Sequence, residues 1–319
     1  MDSAAAERRI RAFVRETPLE PSLALGAASG ARVFLKLENR QETGAFKLRG
    51  AANKLLSLPK EAAARGIVAA STGNHALAVS TIAGRLGIPV EIFVSEQIHP
   101  YKRGKIEALG ARINAVAGDA LAAELEARRV SERSGRPYVS PYNDPVVIEG
   151  QGTVAVEILR QLAAHGEPKL DAVFVAVGGG GLIGGMGAHL KRVSPATQVV
   201  ACWPENSRAL YECLNAGAII DVPEKPTYST STAGGVEPGA ITLGICAAAI
   251  DRKLLVTEAE ILEAARRLER EDGELVEGAA AVAVAAFLKS AGDYAGRSVA
   301  LLICGGNAEP EFAERVRER

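Results

Sequence analysis

The stretch that decides the fold is DAVFVAVGGGGLIGG, residues 171–185. Residues 172–177 are apolar and rich in valine, as expected for a buried strand, and four consecutive glycines follow them. An apolar segment resumes at Leu182 and predicts a helix. A strand that passes through a glycine loop into a helix is typical of an α/β protein with a parallel sheet.

The same alternation of strands and helices continues along most of the chain. Candidate strands lie at residues 33–37, 66–70, 90–94, 112–116, 172–177, 198–202 and 298–303. Candidate helices lie at residues 46–56, 75–86, 121–134, 154–164, 183–192, 258–271 and 279–288. Because helices that connect parallel strands cross over with a right hand, the pattern predicts an α/β fold of open, twisted parallel sheets. The length of 319 residues allows one large domain or two of ordinary size.

Composition and charge exclude several classes of protein. The apolar fraction of 48% is too high for a disordered chain. Lysine and arginine total 37 against 38 acidic residues without a basic stripe, so we expect neither a nucleic acid nor a membrane as partner. The four cysteines form no CxxC pair, which argues against a metal cluster or a disulfide framework. The N-terminus lacks the apolar core of a signal peptide, and the apolar stretch at residues 279–288 is too short to span a bilayer. These features predict a cytoplasmic protein.

The glycine cluster at residues 178–181 is a candidate anion site. Consecutive glycines let several N–H groups point at one ligand, and the dipole of the following helix favours a negative charge there. A phosphate group would suit such a loop, although a simple packing turn is the structural alternative. Gly179, Gly181 and Gly184 also spell GxGxxG, with Glu205 near the end of the next strand. An NAD-binding oxidoreductase therefore stays open at this point.

Lys47 follows Ala45 and Phe46 at the start of a predicted helix. A cation is unfavourable at a helix N-terminus, so such a position would depress the pKa of the amine and make it available as a nucleophile or base. A solvated surface lysine is the alternative, and the pattern alone favours it.

Two further segments follow predicted strands and precede or approach helix N-termini. The first consists of Ser71, Thr72, Gly73, Asn74 and His75 and combines hydroxyl groups, a glycine and the start of a helix. Such a combination can bind a carboxylate, or its hydroxyl groups can serve as an ordinary helix cap. The second is Cys304 with its neighbouring glycines, at the end of the last apolar strand. A buried cysteine is usually a small apolar side chain, but at a strand end it can face a ligand.

These segments, taken together and in this order, resemble the fold-type II pyridoxal-phosphate enzymes, specifically the threonine/serine dehydratase and serine racemase group. The similarity covers nearly the whole chain and includes Thr17-Pro18-Leu19, Leu35-Lys36-Leu37-Glu38 and Gly150-Gln151-Gly152-Thr153. Each motif alone is weak, whereas the ordered set is specific. By this resemblance the glycine loop would hold the phosphate of pyridoxal 5'-phosphate and not a dinucleotide.

The resemblance implies a role for each candidate residue. Lys47 would bind the cofactor aldehyde covalently, Phe46 would pack near the ring, Asn74 would hydrogen-bond the ring hydroxyl, and Cys304 would lie beside the pyridine nitrogen. The other cofactor-binding positions would be Gly178, Gly179, Gly180 and Gly181 around the phosphate, and Gly235 near the hydroxyl side. The substrate carboxylate would be received by Ser71, Thr72, Gly73 and His75.

The implied reaction is β-elimination from L-threonine, L-serine or a related 3-hydroxy amino acid. Lys47 would remove the Cα proton, the β-hydroxyl would leave with a proton supplied through the cofactor phosphate, and the released enamine would hydrolyse to a 2-oxo acid and ammonia. Thr72 stands where racemases of the group carry a serine that donates a proton, so Thr72 is a second catalytic candidate and amino-acid racemisation is an alternative function.

The resemblance also implies an architecture and a point of difference. A large cofactor-binding domain would comprise residues 1–52 and 144–319, and a small mobile substrate domain would comprise residues 53–143. The group commonly forms homodimers, so we expect one here. Metal-dependent relatives place acidic ligands where this chain has Trp203 and Ala209. An indole cannot ligate Mg²⁺ or Ca²⁺, which predicts no metal site there.

Overall fold

The computed structural model describes residues 1–96, 98 and 100–318. In chain order its strands are β1 (Leu19–Pro21), β2 (Arg32–Leu37), β3 (Ile67–Ala70), β4 (Val90–Ser95), β5 (Arg112–Val116), β6 (Tyr138–Val139), β7 (Ala172–Ala176), β8 (Gln198–Pro204), β9 (Arg252–Val256) and β10 (Ser298–Ile303).

The α-helices alternate with these strands. They are α1 (Ser3–Ile10), α2 (Leu23–Ser29), α3 (Lys47–Leu56), α4 (Lys60–Ala64), α5 (Asn74–Leu86), α6 (Pro100–Glu107), α7 (Ala120–Ser134), α8 (Pro145–Gln151), α9 (Thr153–Ala164), α10 (Gly181–Val193), α11 (Ala209–Ala216), α12 (Thr242–Ala249), α13 (Glu258–Arg267), α14 (Gly278–Lys289) and α15 (Pro310–Arg317).

The larger sheet has six strands in the order β1-β2-β10-β7-β8-β9. All neighbouring pairs are parallel except β1 with β2. Strands β7 and β10 lie side by side although they are far apart in sequence. Because parallel strands end at the same edge, the loops after β7 and β10 are adjacent, and this edge is where α/β proteins place their ligands.

The smaller sheet has four parallel strands in the order β5-β4-β3-β6. Its strands come from residues 67–139, between two parts of the chain that build the larger sheet. The loop after β3 leads directly into α5, so this sheet also presents a helix N-terminus at its carboxyl edge.

Aliphatic side chains form the core around the larger sheet. Helix α14 is buried from Gly278 to Phe287 and packs against β7, β8 and β10. Its alanine and valine residues allow close approach to the sheet. Phe174, Phe287 and Tyr294 form an aromatic cluster within this core.

The predicted α/β fold class with parallel sheets is confirmed, with local differences. The sequence missed β1, β6 and β9, which are short or begin with charged residues such as Arg252 and Lys253. The single helix predicted for residues 258–271 is wrong, because α13 ends at Arg267 and a π-helical turn spans Leu268–Asp272. No helix among the described residues is long and apolar enough to cross a membrane.

Candidate active site

One cavity lies where the carboxyl edges of the two sheets face each other. The larger sheet contributes the loops that follow β7 and β10, and the smaller sheet contributes the loop between β3 and α5. Every residue to which the resemblance gives a cofactor or substrate role lines this cavity: Phe46, Lys47, Ser71, Thr72, Gly73, Asn74, His75, Gly178, Gly179, Gly180, Gly181, Gly235 and Cys304. Residues that are distant in sequence thus meet at one place, although their roles are not given by the geometry alone.

Lys47 is the first residue of α3 and extends into this cavity. An antiparallel bridge between Ala45 and Gly305 and a hydrogen bond from the Phe46 N–H to the Cys304 carbonyl (3.1 Å) hold the segment against the end of β10. The Lys47 Nζ donates to the Pro141 carbonyl at 2.8 Å. The amine is therefore held by one neutral acceptor, without a direct carboxylate partner among its hydrogen bonds in the described residues.

Burial lowers the pKa of Lys47 to about 8, while the nearby charges of Glu124, Cys304 and Glu277 act in the opposite direction. The helix N-terminus predicts a depressed pKa as well, and the direction agrees, but the larger cause is removal of the amine from water. With this pKa about a tenth of the amine is free base at pH 7, far more than for an ordinary lysine with a pKa of 10.5, which makes it a competent nucleophile.

The glycine loop joins β7 to α10. Gly180 has φ +87°, a conformation that favours glycine, and a Cβ there would come within 2.7 Å of Leu210 and 2.8 Å of Cys246. A Cβ at Gly179 would overlap the Tyr142 ring at 2.4 Å. The side of the loop that faces the protein interior is therefore tightly packed. Its opposite side lines the cavity, as does Leu182. The first N–H groups of α10 have no acceptor within the helix, so this wall can bind an anion.

The loop before α5 forms the opposite wall. Helix α5 has Gly73 as its N-cap and no side-chain cap, and the Ser71 Oγ accepts instead from the Gly73 N–H at 3.1 Å. The ordinary capping interpretation of Ser71 or Thr72 is therefore wrong. With its first turn uncapped and lining the cavity, α5 offers N–H groups to a carboxylate.

His75 is buried beside this loop. Its Nε2 donates to the Val139 carbonyl at 2.8 Å, with the tautomer assigned from that contact. Burial, assisted by the charge of Lys47, lowers the pKa of His75 to about 3. The imidazole is therefore neutral near pH 7 and does not supply a positive charge to a substrate.

A buried amide and carboxylate network, which the sequence did not predict, adjoins Cys304. The Asn74 Nδ2 donates to both carboxylate oxygens of Glu277 at 3.0 Å, and the Asn307 Nδ2 donates to the Asn74 Oδ1 at 2.8 Å. These contacts fix the Asn74 amide with its oxygen toward Asn307. Glu277 directly precedes α14, which is buried from Gly278 to Phe287, and an acid at the start of such an apolar helix was the available signal.

Cys304 is buried at the end of β10. Burial and the neighbouring Glu277 raise the pKa of its thiol well above the usual value. Burial likewise raises the pKa of Glu277, against hydrogen bonds from Asn74 and Ser231. The thiol therefore stays neutral and presents a weak hydrogen-bonding group, not a countercharge, to the cavity.

A second unpredicted group enters from the smaller sheet's side. Glu124 on α7 lines the cavity, and the nearby Tyr142 hydroxyl acts to lower the pKa of its carboxyl. The Tyr142 oxygen accepts from the Glu237 N–H at 2.9 Å. Glu237 in turn accepts two hydrogen bonds from Arg128, at 2.5 and 2.7 Å. These contacts connect α7 to the segment that carries Gly235.

The residues present fit pyridoxal phosphate. The buried amine of Lys47 suits the aldehyde of the cofactor, and the uncapped N-terminus of α10 behind the glycine loop suits its phosphate. The neutral thiol of Cys304 suits a pyridine nitrogen that carries no proton. Trp203, in contrast, is buried in β8 against Tyr211, and Ala209 starts α11. Among the described residues there is no group of three or more His, Cys, Asp or Glu side chains able to hold a metal ion.

Comparisons with known proteins agree with a pyridoxal-phosphate site. Residues 10–305 match the profile of the family described as pyridoxal-phosphate dependent enzyme. The chain is 37% identical to the L-threonine ammonia-lyase of Thermotoga maritima, over 98% of this chain and 76% of that protein.

Solved structures give a similar result. A threonine deaminase from tomato, Solanum lycopersicum, superposes with a TM-score of 0.90 at 29% identity and covers 99% of this chain and 92% of its own. The serine racemase of maize superposes with a TM-score of 0.89 at 29% identity and covers 97% of this chain and 93% of its own.

Proposed function

This chain belongs to the pyridoxal-phosphate-dependent enzyme family, in the fold-type II threonine and serine dehydratase group, and on that premise we propose its function. It is an ammonia-lyase that converts L-threonine, L-serine or a related 3-hydroxy amino acid to a 2-oxo acid and ammonia. The observation that carries this proposal is the single cavity in which the buried amine of Lys47 faces the glycine loop and the uncapped start of α5.

We assign the cofactor-binding roles from these positions. Lys47 would form the covalent link to the aldehyde, the loop of residues 178–181 would surround the phosphate, and Gly235 would lie near the hydroxyl side of the ring. Asn74 hydrogen-bonds the ring hydroxyl, and its amide is already oriented by Glu277. Phe46 packs near the ring; the Lys47 Nζ lies 5.2 Å from the centre of the Phe46 ring. When bound, pyridoxal phosphate supplies an electron sink that acidifies the substrate Cα–H bond.

The substrate is held by the α5 side of the cavity. Its carboxylate binds the loop of Ser71, Thr72 and Gly73 through the two hydroxyls and the N–H groups of the first turn of α5, at the positive end of the helix dipole. Neutral His75 fixes the shape of this wall without adding charge. The amine of Lys47, once displaced by the substrate amine, lies in the cavity and accepts the Cα proton, for which a pKa near the working pH is well suited.

The neutral state of Cys304 favours elimination. A full carboxylate countercharge would stabilise accumulated negative charge, whereas a thiol with a raised pKa provides little stabilisation. Loss of the β-substituent then follows Cα deprotonation promptly, and the released enamine hydrolyses in water.

The architecture suits a reaction that must exclude water. We propose a cofactor-binding domain of residues 1–52 and 144–319, and a substrate domain of residues 53–143 that closes over the cavity. We also propose that the enzyme is a cytoplasmic homodimer. The four-stranded sheet of residues 67–139 supports the division, and the dimer rests on the habit of the group.

Amino-acid racemisation is a second candidate activity. Thr72 lines the cavity and retains a hydroxyl group, and the similar maize protein is a serine racemase. The additional methyl group of threonine restricts the hydroxyl's rotamers. We therefore propose racemisation as the minor reaction.

Product analysis tests the proposed function. Protein purified with pyridoxal phosphate is incubated separately with L-threonine and L-serine, and 2-oxobutanoate, pyruvate, ammonia and D-serine are measured. We expect equal amounts of 2-oxo acid and ammonia, well in excess of D-serine. Formation of D-serine as the main product, or of neither product, would contradict the assignment as an ammonia-lyase.

A further inference from the structure

The departing β-hydroxyl needs a proton. The resemblance would supply this proton through the cofactor phosphate, but the cavity also contains a side chain placed to provide it. We propose that Glu124 is the general acid that protonates the leaving hydroxyl group of the substrate, an inference that rests on the proposed function. Hydroxide is a poor leaving group, so a positioned acid lowers the barrier to breaking the Cβ–O bond.

The position of Glu124 is the first argument. Helix α7 belongs to the smaller sheet's side and lines the cavity with Ala120, Leu121, Ala123 and Glu124. Its charged neighbour Glu126 is instead paired with the exposed Arg129 on the surface. Glu124 is thus the carboxyl group that α7 turns toward Lys47, whose charge interacts with it.

The hydrogen bonding of Glu124 is the second argument. The Tyr142 oxygen accepts from the Glu237 N–H, and the Tyr142 hydroxyl is close enough to the Glu124 carboxyl to lower its pKa. The Oε2 atom of that carboxyl is buried and has no hydrogen-bond partner among the described residues. A buried polar atom without a partner is costly, and a substrate oxygen in the cavity would satisfy it.

The remaining polar groups of the cavity are less suited to this role. Both oxygens of Glu277 are occupied by Asn74. His75 is neutral and its Nε2 is bonded to the Val139 carbonyl. Lys47 is required as the base. Glu124 is therefore the ionisable side chain with an uncommitted oxygen.

The charges around Glu124 keep it protonated. Burial and the neighbouring carboxylate of Glu237 raise the pKa of Glu124 to about 8, against the opposing effects of Lys47, Arg128 and the Tyr142 hydroxyl. Tyr138 also faces the carboxyl, and its own pKa is raised, so it is neutral at this pH. Near pH 7 Glu124 consequently carries the proton that it would donate.

The proposed step balances. Lys47 takes the Cα proton, the Cβ–O bond breaks with its electron pair going to oxygen, and the Glu124 proton joins that oxygen to form water. Glu124 is left as a carboxylate beside a protonated Lys47, and transfer of that proton back, directly or through water, restores both groups. The amino acid has then lost one water molecule.

A leaving-group comparison tests the proposal. Glu124→Gln preserves the shape and the Tyr142 contact but has no acidic proton, and Glu126→Gln on the same helix is the matched control. The holoenzymes are compared on L-serine and on 3-chloro-L-alanine, whose chloride leaves without a proton. We expect kcat/KM of Glu124→Gln to fall about 100-fold or more for L-serine and less than about threefold for 3-chloro-L-alanine. The control should keep both values within about twofold.

The outcomes separate this proposal from the proposed function. A similar loss on both substrates would assign Glu124 to binding or structure, and no loss on L-serine would also overturn its role as the acid. Wild-type enzyme that releases pyruvate from neither substrate would contradict the ammonia-lyase assignment itself, and this proposal with it.

The cofactor-free protein provides a readout that does not depend on turnover. A carboxyl whose pKa is raised in the folded state stabilises the fold below its ordinary pKa of 4.5, and this contribution is lost as the pH rises through about 8. The melting temperature of Glu124→Gln relative to wild type should therefore increase from pH 5.5 to pH 8.5, whereas Glu126→Gln should show no such trend. A parallel pH dependence for Glu124→Gln and wild type would mean that Glu124 is already ionised, and would overturn the proposal.

Discussion

Replacing Glu157 by glutamine should destabilise the protein strongly, because this carboxylate is the centre of a buried ion network around Arg49 on α3. Its Oε2 accepts from Lys36 and from Arg49, each at 2.7 Å, and its Oε1 accepts from Arg49 at 2.9 Å. Glu38 is the other acid and contacts Arg49 at 2.7 Å. The side chains of Lys36, Glu38, Arg49 and Glu157 are fully excluded from solvent.

The magnitude follows from the charge balance. Two buried cations face two buried carboxylates, and the partly exposed Arg11 also contacts the Glu157 Oε1 at 2.5 Å. Glutamine would therefore leave at least one buried cation without compensation. Breaking a buried ion pair in this way costs about 3–5 kcal/mol. Glu20→Gln is the matched control, because the Glu20–Arg40 pair is almost half exposed on both sides and should be worth about 1 kcal/mol or less.

Urea unfolding at pH 7 measures both variants. We expect the free energy of unfolding to fall by about 3–5 kcal/mol for Glu157→Gln. Burial opposes ionisation of Glu157, but Arg49 and Lys36 outweigh it and lower its pKa below the ordinary 4.5. The stabilisation is thus present above pH 4.5 and is lost as the pH falls through the folded-state pKa, so the difference from wild type should narrow in acid. Equal losses for Glu157→Gln and Glu20→Gln would refute this reasoning.

Three further predictions concern the cavity and its surroundings. Gly180→Ala should lower the free energy of unfolding by about 2 kcal/mol or more and weaken pyridoxal-phosphate binding, because φ is +87° and the new Cβ meets Leu210 and Cys246. The control is Gly244→Ala on the exposed face of α12, where the added Cβ has open space and should raise the melting temperature slightly. Thr72→Ala should abolish whatever D-serine wild type forms from L-serine while pyruvate formation stays within about tenfold; D-serine formed at the wild-type rate would exclude Thr72 as the proton donor. Added Mg²⁺ or Ca²⁺ should leave activity and melting temperature unchanged, because Trp203 and Ala209 offer no oxygen ligand; a saturable increase that a chelator reverses would disprove this.

Local sequence patterns were sufficient to predict the loops that line the cavity. The strand, glycine loop and helix at residues 171–185 follow one another in sequence, and the structure has β7 end at Ala176 and α10 begin at Gly181. The loop residues after β3 and β10 could be identified in the same way, since each follows an apolar run. The parallel order of β7 and β10 brings their two loops together, whereas the loop after β3 belongs to the smaller sheet and reaches the same cavity only through the packing of the two sheets.

Tertiary packing determined the features that the sequence did not reveal. Nothing in the segment ALAAELEARRV distinguishes Glu124 from Glu126, and only the packing of α7 turns the first toward the cavity and the second toward solvent. Glu277 likewise becomes part of the site because Asn74 and Asn307 approach it from distant parts of the chain. The low pKa of Lys47 arises from burial, which is a property of the folded protein and not of its local helix.

Chemical identification of the lysine that carries the cofactor tests the central claim most directly. The protein is incubated with pyridoxal phosphate, reduced with borohydride and digested, and the modified peptide is sequenced by mass spectrometry, with Lys47→Ala as the control. We expect the phosphopyridoxyl group on Lys47 alone, and loss of both the label and the visible absorbance of the bound cofactor in Lys47→Ala. A label on Lys36 or Lys102 in place of Lys47, or an unchanged label in Lys47→Ala, would contradict the proposed active site.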